Sequence, residues 1–139
     1  MSYERFSDLL GKVLIKITKS SNSDNNDEIC FYLSNGAIIS QYHNQDCCES
    51  VYIEDINGDL DDLIGYPLLQ CEESTSDGPA TEESSTWTFY KMATIKGYVT
   101  IRWLGVSNGY YSESVNINKI RDEDPIKEQR RKKLLKING

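Results

Sequence analysis

The sequence predicts an α+β fold dominated by an antiparallel sheet of seven or eight strands, curled into a sandwich or partly open barrel. Three observations predict it. Apolar and polar residues alternate at period two through most of the chain, the pattern of strands with one buried face. Asn35-Gly36, Lys96-Gly97 and Asn108-Gly109 place tight turns between such runs, and turns of this kind join antiparallel neighbours. Nothing resembles the series of crossovers, each a dozen or more residues long, that a parallel sheet requires. Two or three short helices complete the fold, one of them basic and C-terminal.

In order, Phe6, Leu9 and Leu10 make a short helical start that Gly11 closes, and Val13, Ile15 and Ile17 alternate as the first strand. Residues 20–27 are a polar loop of turn formers. Residues 29–33 and 37–42 form a hairpin around Asn35-Gly36. The second arm runs on into QYHNQDCCES, where strand gives way to irregular chain. Val51 and Ile53 point inward from the next strand, opposite to Tyr52 and Glu54, and Asn57-Gly58 turns the chain. Asp59 then caps a short helix carrying Leu60, Leu63 and Ile64 on one face, which Gly65 stops. A strand leads from Leu68 to about Glu73. Residues 74–85, rich in Ser, Thr and Glu, read as a loop that is idle or orders on a partner. Two strong strands follow, with Trp87, Phe89 and Lys91 alternating against Thr88, Tyr90 and Met92, then Val99, Ile101 and Trp103 against Thr100 and Arg102. Residues 110–117 read as the last strand. Residues 124–136 read as a weakly amphipathic basic helix with Pro125 in its first turn.

The length of 139 residues suits one domain that buries a core without staples. We divide it into a β-rich body, residues 1–118, and a basic helical segment, residues 119–139. The net charge of −7 is unevenly spread. Residues 1–118 carry seven Lys or Arg against eighteen Asp or Glu, a balance of −11; residues 119–139 carry eight against four, a balance of +4. The body repels nucleic acid, and it could imitate a nucleic-acid backbone in a basic groove of a partner. The tail is expected to dock on the body or on a sister subunit, making a homo-oligomer. No run of eighteen apolar residues or secretory leader pattern occurs, so we expect no membrane partner, a cytoplasmic location and four reduced cysteines.

Chemistry concentrates in QYHNQDCCESVYIEDINGDLDDL, which contains the one histidine and two of the four cysteines. Cys47 or Cys48 could act as a nucleophile with His43 as base and Asp46 or Asp55 orienting the ring. A zinc site would need His43 and Cys47 to be joined by Cys30 and Cys71 from other strands, since no CxxC pair exists. The bland alternative makes the cysteines small core hydrophobes and His43 a hydrogen-bonded strand end. The acids 54–62 do not follow the twelve-residue calcium loop. No glycine-rich phosphate loop occurs, and no cofactor is implied. A binding reading takes His43, Gln45, Asp46 and Glu49 from this stretch. To these it adds a stacking surface of Trp87, Tyr90, Tyr110 and Tyr111 beside Arg102.

Three segments, YHNQDCCESVYIEDINGDLDDLIGYPLL, WTFYKMATIKGYVTIRWLG and SNGYYSESV, resemble a family of small proteins met mainly in tailed bacteriophages. The resemblance covers roughly residues 11 to 117, and its most specific phrases are QDCCESV and SNGYYSESV. It implies a phage accessory protein at work in the cytoplasm of the infected bacterial host. Phage proteins of this size often inhibit or sequester a host component, here a defence-system protein or its signalling nucleotide. The alternative is a Cys/His-dependent enzyme or zinc-binding domain centred on His43, Cys47 and Cys48.

Overall fold

A computed structural model describes residues 5–21 and 26–122 of the chain. Eight strands are present among them: β1 (Leu14–Ser21), β2 (Asp27–Leu33), β3 (Ala37–Tyr42), β4 (Ser50–Asn57), β5 (Gln70–Asp77), β6 (Ser84–Thr94), β7 (Gly97–Ser107) and β8 (Asn116–Asp122). They form two four-stranded sheets, ordered β1-β2-β3-β8 and β4-β7-β6-β5, with every neighbouring pair antiparallel. The two sheets enclose one core, so the fold is an open sandwich.

The core is made by the alternation already visible in the strands. Phe31 and Ile39 from one sheet meet Tyr90, Met92, Val99, Ile101 and Trp103 from the other, all fully buried. Phe6, from the N-terminal turn, closes one side. Its ring stands edge-on to Phe31 at 5.3 Å and to Tyr90 at 4.8 Å, so a single side chain touches both sheets. Burying a phenyl ring contributes roughly 2–3 kcal/mol, and edge-on pairs add about 1 kcal/mol each. A polar tie also crosses the core: Trp103 Nε1 donates to Gln41 Oε1 at 3.1 Å. An indole N–H that deep needs such an acceptor.

The expected helices are each one 3-10 turn, Phe6–Leu9 and Leu60–Leu63. Gly11 and Gly65, both at positive φ, stop the chain before a second turn can form. Asp59 does cap the second, its carboxylate accepting from the Asp61 N–H at 2.9 Å. The C-terminal helix lies outside the described residues.

Several strand boundaries and one register differ from the sequence reading. β5 and β6 extend through half of the Ser/Thr tract, with Ser74 paired to Phe89 and Ser76 to Trp87. The long β6 supplies backbone partners that override weak strand propensity. Residues 110–115 are not strand, and β8 starts at Asn116. β8 pairs with β3 and runs past the expected boundary at residue 118. In β4, Ile53 pairs with Trp103 and Asp55 with Arg102, leaving Glu54 as a bulge. Alternation put Asp55 inward, but the bulge moves it to the outer face.

Residues 108–115 fold back across β7. Glu113 accepts from Thr86 Oγ1 at 2.7 Å and Ser107 Oγ at 2.5 Å. Against the burial that would raise it, hydrogen bonds from Ser107, Thr86 and Ser84 hold this carboxyl below its ordinary pKa. The crossing passes directly over Gly105, where an added Cβ would press on the Glu113 backbone. Gly105→Ala is therefore expected to destabilise the fold by about 1–3 kcal/mol in urea unfolding, the usual cost of overpacking.

Candidate functional site

The connection from β3 to β4 is organised by one carboxylate. Glu49 is buried, its side chain fully shielded from solvent. Its Oε2 accepts from His43 Nε2 at 2.7 Å and from the Asp46 N–H at 2.9 Å, and its Oε1 from the Cys47 N–H at 2.9 Å. The His43 hydrogen bond, then that of the Cys47 N–H, lowers the Glu49 pKa to about 2 in spite of burial. The other ring nitrogen of His43, Nδ1, meets the Ser114 carbonyl at 2.8 Å. Gln45 Nε2 completes the turn by donating to the Glu49 carbonyl at 2.7 Å.

This geometry gives the cysteines and histidine different roles from those considered for catalysis. With both nitrogens engaged, His43 presents neither to Cys47 or Cys48. The two thiols are joined as a vicinal disulfide, where four reduced cysteines were expected. On a strand they would point apart; the turn drawn around Glu49 brings them together. Asp46 is exposed beside them and its backbone, not its side chain, contacts Glu49.

The four residues of the alternative zinc site do not converge. Cys71 is buried against the first 3-10 turn, its thiol donating to the Phe6 carbonyl at 3.1 Å. Burial, then the charges of Asp8 and Glu72, push it up to about 12, so it is an inert core thiol. Cys30 lies on β2, paired across the ladder with Thr18 and Ser40, and burial followed by the Glu28 charge raises its pKa. Among the described residues, no group of three His, Cys, Asp or Glu side chains is placed to bind a metal.

The aromatic strands give a second cluster, on the outer face of the β4-β7-β6-β5 sheet. Strand register arranges it in rows. Tyr52, Leu104, Trp87 and Ser76 lie side by side, then Asp55, Arg102, Phe89 and Ser74. The Arg102 guanidinium sits 4.5 Å from the Trp87 ring and forks onto Asp55 at 2.6 and 3.1 Å. Beside it opens a groove of about 610 Å³, lined by Asp55, Ser74, Phe89, Lys91, Thr100 and Arg102.

Of the predicted surface residues, Trp87 and Arg102 share this face. Tyr90 does not: its strand parity turns it inward, where it is fully buried. That burial, followed by the Glu73 charge, raises the pKa of its phenol. Tyr110, almost fully exposed, and Tyr111 lie in the irregular segment after β7. Phe89 and Thr100 were missed, and Asp55, considered as an acid orienting the His43 ring, is paired with Arg102 instead. For Phe89 and Thr100 a signal existed, because the tight β6–β7 turn fixes which residues face Arg102 across the hairpin.

A family described as a domain of unknown function, DUF7448, matches residues 7–117. The chain belongs to that family. The matched span runs from the first 3-10 turn to the start of β8 and covers seven of the eight described strands in full. No curated protein and no solved structure matches the chain. No helix among the described residues is long and apolar enough to cross a membrane.

The Glu49 cluster makes a pH prediction. Its folded pKa lies below the ordinary value near 4.5, so the stabilisation is full above that value and is lost as pH falls towards about 2. Thermal melts between those limits should show the DUF7448 sandwich losing stability on acidification. Glu49→Gln should melt lower at neutral pH and show a flatter acid limb.

Proposed function

We propose that this DUF7448 protein is a binding protein, not a catalyst: a tailed-phage accessory protein that inhibits or sequesters a host component. The component is a defence-system protein or its signalling nucleotide, met in the host cytoplasm. The Arg102–Trp87–Asp55 arrangement on an open sheet face is the observation that carries this reading. An exposed ion pair contributes roughly 0–1 kcal/mol and an exposed cation–π contact about 0.5–1 kcal/mol, so stability gives little reason for placing them there. A guanidinium pre-oriented by two neighbours, beside Phe89 and a groove of hydroxyls, suits a planar or carboxylate-bearing ligand group. The engagement of both His43 nitrogens favours binding over the Cys/His enzyme.

Capture from bacterial lysate with the tagged chain, followed by native mass spectrometry, tests the reading. The recovered protein or nucleotide should be lost with Trp87→Ala or Arg102→Ala, each reducing affinity by about tenfold or more while leaving the melting temperature nearly unchanged. Cys47→Ser with Cys48→Ser should leave recovery intact. The opposite pattern, loss with the serine variants alone, would return the function to the cysteines.

A further inference from the structure

A disulfide that holds a fold together joins elements distant in the chain, because its effect grows with the length of the loop it closes. The Cys47–Cys48 bond joins neighbours in sequence and closes no loop of intervening residues. The two cysteines that lie on strands of different sheets, Cys30 on β2 and Cys71 on β5, are free thiols. Stability of the sandwich therefore gives no reason for the bonded pair.

Its surroundings suit exchange with an incoming thiol. Cys47 and Cys48 are both exposed. They line a groove of about 740 Å³ beside the first residues of β4, together with Asn26, Asp27, Gln45 and Tyr52. Exchange begins when a thiolate reaches one sulfur of the bond, so exposed disulfides are the labile ones. The other side of the turn is fixed. Glu49 accepts from the N–H groups of Asp46 and Cys47 at 2.9 Å each, and Gln45 Nε2 donates to the carbonyls of Cys47 at 3.3 Å and Glu49 at 2.7 Å. These contacts hold the two cysteines in the curl that brings their sulfurs together, so the turn favours the closed bond and the closed bond favours the turn.

We propose that the Cys47–Cys48 bond is a reversible redox site for a low-molecular-weight thiol, and that the Glu49 turn sets the balance between its closed and open forms. A thiolate of the reductant attacks one exposed sulfur, the S–S bond breaks, and the other cysteine leaves and takes up a proton. A second reductant thiol then attacks the reductant's sulfur in the mixed disulfide and releases the first cysteine, which is protonated in turn. Two electrons and two protons pass to the cysteine pair, and the reductant leaves as its own disulfide.

The test equilibrates the full chain in buffers graded from reduced to oxidised glutathione, traps free thiols of the folded protein with N-ethylmaleimide and locates the labels by peptide mass spectrometry. Cys47 and Cys48 should pass together from unlabelled to labelled between those extremes, while the buried Cys71 stays unlabelled throughout. Glu49→Gln should shift the equilibrium constant towards the open form by about tenfold, which is about 30 mV for a two-electron couple. By linkage, reduction of the unsubstituted chain should speed hydrogen exchange at the Asp46 and Cys47 N–H groups by a similar factor, a measurement that does not need the variant to fold. A pair that stays closed at the reducing end is a fixed bond and overturns the proposal, as does a pair that is labelled even at the oxidising end. A midpoint indifferent to Glu49→Gln, or amide exchange indifferent to reduction, overturns the part assigned to Glu49.

Discussion

The buried Glu49 carboxylate is the constraint on which the middle of this structure depends. Four oxygen lone-pair directions must be filled when a carboxylate leaves water, and an unfilled one is costly. His43 and the N–H groups of Asp46 and Cys47 fill three of them. Meeting that demand curls residues 43–49 into a turn and ends β3. It also pins the segment 108–115 through the Ser114 carbonyl on the far side of the His43 ring. One histidine ring thereby links two connections 71 residues apart. The same curl places the cysteine pair on the surface, away from any base.

A second carboxylate works the same way one residue earlier in that segment. Glu113 takes hydroxyl hydrogen bonds from β6 and β7, and its backbone lies over Gly105. The segment is therefore held by polar anchors at the adjacent residues Glu113 and Ser114 and needs no strand ladder, which explains why the strand-like YYSESV does not pair. Aromatic and β-branched residues favour strands only where a partner edge is available.

The two sides of the β4-β7-β6-β5 sheet divide the aromatic residues by function. Tyr90 and Trp103 fill the core, where each buries its ring and steadies the packing against the opposite sheet. Trp87 and Phe89, one or three positions away from Tyr90, face outward with Arg102. Period two alone makes this division, so neighbours in sequence serve different ends.

The sequence by itself determined most of the strands, their antiparallel pairing and the turns at glycine. Those features follow from local rules: alternation at period two, glycine at positive φ and an acid at a helix start. Asp59 as a cap and Val51 and Ile53 as inward-facing residues were legible for that reason. Only the tertiary structure decided the rest, because it depends on partners distant in sequence. The bulge at Glu54 that brings Asp55 to Arg102 depends on pairing with β7. The pairing of β3 with β8, and the engagement of His43 by Glu49 and Ser114, join segments whose proximity no local pattern encodes. The cysteines were the hardest to read, since their chemistry follows from which neighbours share their turn. That neighbourhood was set by a buried carboxylate whose partners only folding assembles.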